Sequence, residues 1–123
     1  MLLTLNNPDS AIAILTAMKE RIAAENKQTQ MYYQLICLKA KDKAYITYTS
    51  DNSILQILKY YEQKEEKKHL PEAYYYAGRV YRDLGDAPQA LDYYQKALDV
   101  SQSSKDYKLI SRIYSQMGTL YLY

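Results

Sequence analysis

The feature that most narrows what this chain can become is an alternation of large and small residues on both sides of one joint. In "YYYAGRVYRDLGDAPQALDYYQKAL" (Tyr74 to Leu98), Tyr74, Ala77, Gly78 and Tyr81 fall within about 60° of one another at a helical advance of about 100° per residue. Beyond "LGDAPQA", Ala90, Tyr94 and Ala97 repeat the theme as small, large, small. Such a face lets a second helix approach closely at the small positions while rings fill the space on either side. Gly85 suits the left-handed conformation that ends one helix. Asp86 suits the cap of the next, with Gln89 three residues on completing a capping box. The stretch therefore predicts two helices packed through complementary shapes.

Similar punctuation divides the rest of the chain. "NNPDS" (Asn6 to Ser10) precedes an apolar stripe of Ala11, Ile12, Leu15, Met18 and Ile22, and "TYTSDNS" (Thr47 to Ser53) precedes Ile54, Ile57, Leu58 and Tyr61. Pro71 suits a first helical turn, where its missing N–H costs nothing. "SQSSKD" (Ser101 to Asp106) is the last break. Helices are expected over 9–25, 28–46, 52–67, 71–84, 87–102 and 106–122. Three glycines and three prolines are too few for the turns of a sandwich or barrel, and β-branched residues form no alternating run. The fold class is all-α, in one domain spanning 1–123.

Internal repetition sharpens this. "QILKYY" (Gln56 to Tyr61) and "QALDYY" (Gln89 to Tyr94) lie one repeat apart, and "YAGRVY" (Tyr76 to Tyr81) is echoed by "QMGTLY" (Gln116 to Tyr121). On Tyr74, Gly78, Tyr81, Ala90, Tyr94 and Ala97 the chain resembles the tetratricopeptide repeat family. The resemblance implies a right-handed α-solenoid of antiparallel helix pairs: a degenerate pair at 28–67, a clear repeat at 71–102 and an incomplete repeat at 106–123. Lys64 departs from the family's preference for Ala, and the usual repeat-ending Pro is missing after Val100. The layout is similar, more loosely, to repeat arrays of bacterial envelope proteins. That likeness implies a fragment on the periplasmic side of a larger protein, with a cytoplasmic place left open.

The sixteen tyrosines, in a chain without Phe or Trp, divide by helical position. Tyr33, Tyr74, Tyr81, Tyr94, Tyr114 and Tyr121 are expected in the core, each needing a partner for its hydroxyl. Cys37 occupies the place of Gly78 on its helix and reads as a small packing residue. Tyr76 is expected at the edge of a neighbouring helix. Tyr75 lies about 100° from Tyr74 and is expected to face a concave groove with Glu72, Arg79 and Arg82. The matching sectors are Gln34, Leu38 and Lys41 on the helix at 28–46, and Arg112, Ser115 and Thr119 on the last helix. A rigid ring beside planar cations suits a carboxylate-bearing segment. Equally, Arg79 pairs with Asp83 one turn on and Arg82 is solvated. The residues of the family's carboxylate-binding variety do not stand in this sector, so that specificity is not carried over.

Several functions lack their chemistry. The charge of +2, from 16 basic and 14 acidic residues, gives no nucleic-acid footprint, and "KYYEQKEEKKH" reads as a solvated helix surface. Glu65, Glu66 and His69 make a poor metal set without a second His or a Cys, so no metal or other cofactor is expected. One cysteine forms no internal disulfide, and no segment has the length and apolarity of a membrane span. "MLLTL" lacks the basic region of a signal peptide. No nucleophile–base motif is present. The expected function is non-enzymatic binding of a peptide or protein segment in the concave groove. The alternative is a structural spacer or self-associating segment of an envelope sensor or regulator, forming a homodimer through the uncovered last helix.

Overall fold

In the computed structural model, residues 8–102 and 104–121 are described, without the side chains of residues 8 and 121. The opening "MLLTL", much of the "NNPDS" break, the end of the last helix and the packing of the Tyr121 ring lie outside them. Six helices follow in order: α1 Pro8–Ala23, α2 Lys27–Lys43, α3 Asn52–Lys64, α4 Leu70–Asp83, α5 Ala87–Ser101 and α6 Tyr107–Tyr121. No strand occurs among the described residues, and the architecture is all-α. No described helix is long and apolar enough to cross a membrane.

The helix ends obey local chemistry. Gly85 takes φ +81°, and Asp86 accepts the Gln89 N–H at 3.1 Å, as the joint predicts. Asn26 caps α2 by accepting the Thr29 N–H, and Asp106 caps α6 by accepting that of Leu109. Two helices stop about three residues early. Tyr45 (φ 58°) and Glu65 (φ 49°) turn left-handed. Their successors then close the ends, with Ile46 N–H donating to Lys41 O and Glu66 N–H to Tyr61 O.

One domain is expected from the sequence, but the described residues divide after Thr47 into two compact units. In the first unit α1 packs on α2 through Ala11, Leu15, Ile36 and Ala40, with Ile12, Tyr33 and Cys37 against them. The Tyr33 hydroxyl donates to Leu15 O. Gln30 Nε2 donates to Ala23 O and Glu25 O, covering carbonyls that the end of α1 leaves open.

In the second unit α4 packs on α3 and α5, and α5 in turn on α6. The bare backbone at Gly78 makes the α4–α5 approach possible. A Cβ there would lie 2.3 Å from Tyr94 Cε1, and Ala90, Tyr94 and Ala97 are wholly buried. Beside this contact, the Tyr93 ring stacks between Tyr74 (centroids 6.2 Å apart) and Tyr81 (5.5 Å, planes 9° apart). Lys96 Nζ lies 5.0 Å from the Tyr93 ring centre. The Tyr74 hydroxyl donates to Glu62 Oε2 (2.7 Å) and that of Tyr81 to Asp51 Oδ2 (2.9 Å), so two phenols hold opposite ends of α3.

The last helix corrects one expectation. Leu109 and Ile113 are its buried residues, whereas Tyr114 is 58% exposed and no atom approaches the Cβ position of Gly118 within 4 Å. Leu109 and Ile113 are buried where α6 meets α5, and Tyr114 and Gly118 are exposed among the described residues.

Two experiments check this packing. Gly78→Ala forces the Tyr94 ring to move and is expected to lower stability by about 1–3 kcal/mol despite alanine's better helix propensity. Gly118→Ala is expected to raise stability by about 0.5–1 kcal/mol in denaturant melts, having no neighbour to displace. The second experiment uses alkali. Burial first, then the Asp51 carboxylate, pushes the Tyr81 phenol up to about 12. Burial first, then Cys37, does the same to Tyr33, and burial and Glu62 raise Tyr74 as well. Each folded value lies above the unfolded one of about 10. Their contribution is therefore complete below about pH 10 and is lost as the pH rises toward about 12. Phenolate absorbance is expected to lag for these rings and then rise together with loss of helical circular dichroism.

Candidate functional site

Helices α4 and α6 are joined through polar side chains. Arg82 Nη1 on α4 donates to Gln116 Oε1 on α6. One turn before Arg82, the Arg79 guanidinium lies 3.8 Å from Asp83 Oδ1, and Asp83 Oδ2 accepts the Tyr48 N–H at 3.0 Å. Asp83 thus serves a cation with one oxygen and the backbone N–H of Tyr48 with the other. The anticipated Arg79–Asp83 pair is present, whereas Arg82 is bonded to another helix as well as half-buried.

Beneath these arginines lies the Tyr94 hydroxyl, buried with no partner in hydrogen-bond geometry. Burial pushes its pKa well up, while the charges of Arg79 and Arg82 pull it partly back. The phenol therefore sits in the field of both guanidiniums, against a helix backbone that only glycine leaves open.

The expected site residues do not all come together. Tyr75 is 4% exposed, its ring edge-on to Tyr76 at 5.0 Å and tilted against Tyr94 at 6.0 Å. It is a core ring, contrary to the expectation that it faces a groove. Tyr76, expected at an edge, is buried as well. Both rings belong to a helix that packs against α3 and α5. A helix so surrounded has no wide solvent sector, and the usual single apolar stripe does not apply.

Glu72, Arg79 and Arg82 remain half-buried on α4, with Arg112 and Ser115 exposed and Thr119 half-buried on α6. Thr119 Oγ1 donates back to Ser115 O at 3.0 Å. Gln34, Leu38 and Lys41 belong to the first unit. Leu38 is buried, Lys41 is exposed, and the buried Gln34 Oε1 has no hydrogen-bond partner. Half-buried Cys37 has its thiol pKa raised by burial, the character of a packing residue. His69 Nε2 lies 3.7 Å from Glu66 Oε2, with its ring against Tyr61. No three His, Cys, Asp or Glu side chains converge on a metal-sized site among the described residues.

Gln116 is the participant that the sequence left unnamed, whereas Asp83 is the anticipated partner of Arg79. Gln116 had a signal, for it stands where the echoing motif has the inward-facing Tyr76. A polar residue at an inward place asks for a polar partner.

Residues 69–123, spanning α4 to α6, match the tetratricopeptide repeat family model. No curated protein and no solved structure matches the chain. Repeats of this family generally mediate protein–protein interaction and are generally not enzymes. The matched span is the part of the second unit that carries the joined arginines.

The two kinds of tyrosine hydroxyl should separate in urea melts. Tyr94→Phe removes a buried hydroxyl whose polar neighbours are the Arg79 and Arg82 guanidiniums, and is expected to change stability by less than about 0.5 kcal/mol. Tyr74→Phe and Tyr81→Phe lose bonds to carboxylates and are each expected to cost about 0.5–1.5 kcal/mol.

Proposed function

We propose that this chain is a non-enzymatic interaction module that binds an extended, acidic peptide or protein segment along the polar sectors of α4 and α6. The observation that carries this reading is the Arg82–Gln116 bond, which sets the polar side of α6 beside that of α4. Helix α6 contains no acidic residue, and its polar side offers exposed Lys108, Arg112 and Ser115. On α4, Arg79 and Arg82 stay half-buried, held in fixed positions by Asp83 and Gln116. Fixed planar cations lose little freedom when they grip a carboxylate, and that favours recognition.

Tyr75 has no place in this surface. Arg112, Ser115 and Thr119 supply the accessible contacts, with Arg79 and Arg82 behind them and Glu72 at the edge. The residues Gln34, Leu38 and Lys41 lie on α2, in the first unit. Placement on the envelope side of a larger bacterial protein rests on the resemblance of the repeat layout alone. The alternative, a spacer or self-associating segment, draws on another surface, the exposed Tyr114 and Gly118 of α6. It requires a dimer in sedimentation that Tyr114→Ala dissolves.

Selection of random linear peptides on the intact chain tests the main reading. Enriched sequences are expected to be rich in Asp and Glu and to bind more weakly as salt rises. The Arg79→Ala/Arg82→Ala double variant and Arg112→Ala should each weaken them by about tenfold or more, with helical circular dichroism retained. Enriched peptides that bind the double variant and Arg112→Ala as well as the parent would show these arginines to be solvated surface.

A further inference from the structure

With sixteen tyrosines and neither Phe nor Trp, the aromatic packing of this chain is made largely of phenols, and three of them form an ordered stack. The Tyr93 ring on α5 lies between Tyr81 (5.5 Å, planes 9° apart) and Tyr74 (6.2 Å, planes 27° apart) on α4. At these separations an electron passes readily from ring to ring. Both outer phenols end on a carboxylate of the α3 region, Tyr81 on Asp51 Oδ2 at 2.9 Å and Tyr74 on Glu62 Oε2 at 2.7 Å. A phenol that loses an electron becomes a strong acid, so its oxidation is easy only where a base takes the proton in the same step. A carboxylate oxygen at hydrogen-bond distance is such a base. The Tyr33 hydroxyl, by contrast, donates to the Leu15 carbonyl, which accepts a hydrogen bond but not a proton.

The neighbouring cations direct where a positive hole would rest. Lys96 Nζ lies 5.0 Å from the centre of the Tyr93 ring, so the hole is disfavoured on the middle ring and moves to the outer ones. Tyr94, the next ring on α5, lies in the field of Arg79 and Arg82, which turns the hole away from it too. Tyr93 is half-buried, whereas Tyr74 is 7% and Tyr81 8% exposed. The middle ring is therefore the point of entry, and the outer phenols are sheltered from coupling to a second chain.

From this geometry we propose that the Tyr74–Tyr93–Tyr81 stack is a one-electron redox site that takes up the hole delivered by a diffusible radical oxidant. The oxidant removes one electron from Tyr93, and an electron from Tyr81 or Tyr74 refills that ring. The O–H bond of the outer phenol breaks, its proton goes to Asp51 Oδ2 or Glu62 Oε2, and a neutral phenoxyl radical remains. A one-electron reductant of the ascorbate class reverses the step: it returns the electron, and the carboxylic acid gives back the proton. The site makes no use of Arg112 or of the polar side of α6, so it stands independently of peptide binding.

A tethered photo-oxidant tests this without interference from the exposed tyrosines. Gln89 is exposed and one turn before Tyr93 on α5, so a ruthenium polypyridyl complex on Gln89→Cys, in a Cys37→Ala chain, stands beside the stack. A flash in the presence of an external electron acceptor then delivers one hole within the molecule. Phenoxyl absorbance and its electron paramagnetic resonance signal are expected to appear at a rate independent of protein concentration, and more slowly in heavy water. Asp51→Asn with Glu62→Gln keeps the shapes but removes both bases, and should slow the appearance about tenfold or more. Tyr74→Phe with Tyr81→Phe keeps the stacked rings and removes the phenols, with the same slowing expected even if the carboxamide pair unsettles the fold. The proposal is overturned if no phenoxyl radical forms in the parent. It is equally overturned if either double variant, with helical circular dichroism retained, forms the radical as fast as the parent.

Discussion

The second unit depends on one contact, the Tyr94 ring lying on the bare backbone of Gly78. An aromatic ring needs a flat, open surface, and an α-helix offers one only where a side chain is missing. With that ring in place, Ala90 and Ala97 let α5 follow α4 closely, and Tyr93 reaches between Tyr74 and Tyr81. The Tyr94 hydroxyl ends in the field of Arg79 and Arg82. The packing of the pair and the positions of the cations thus descend from one absent methyl group.

Much of this architecture is legible in the sequence because its signals are local. Gly85 and Asp86 mark the α4–α5 joint by the conformations their own chemistry favours, and the small–large spacing identifies which faces meet. The helix ends at Tyr45 and Glu65 are harder to read. Neither residue favours a left-handed conformation, which is held instead by the hydrogen bonds of the following residue. The division after Thr47 has no local signal either, because it reflects which helices share contacts across many residues.

The site is less legible, for a different reason. A helical wheel gives the direction of Tyr75 correctly but cannot tell how many neighbours surround α4. Direction becomes exposure only once those neighbours are known, and here they close over Tyr75 and Tyr76. On α6 the same limit acts in reverse: Tyr114 has the position of Tyr74 but stands uncovered. Arg79 pairs within its own helix and was readable as an i, i+4 ion pair. Arg82 bonds across to Gln116, and only tertiary structure brings that pair together.

The use of tyrosine where phenylalanine would fill the same space has a consequence for alignment. A smooth apolar face lets one helix slide along another, since each turn offers nearly the same grip. Here Tyr74 grips Glu62 near the end of α3, and Tyr81 grips Asp51 at its beginning. The two phenols lie about 10 Å apart along α4, two helical turns. A slip of one turn would carry both hydroxyls away from their carboxylates at once. The pair acts as a vernier with two marks, giving the α3–α4 packing one readable setting where shape alone would allow several.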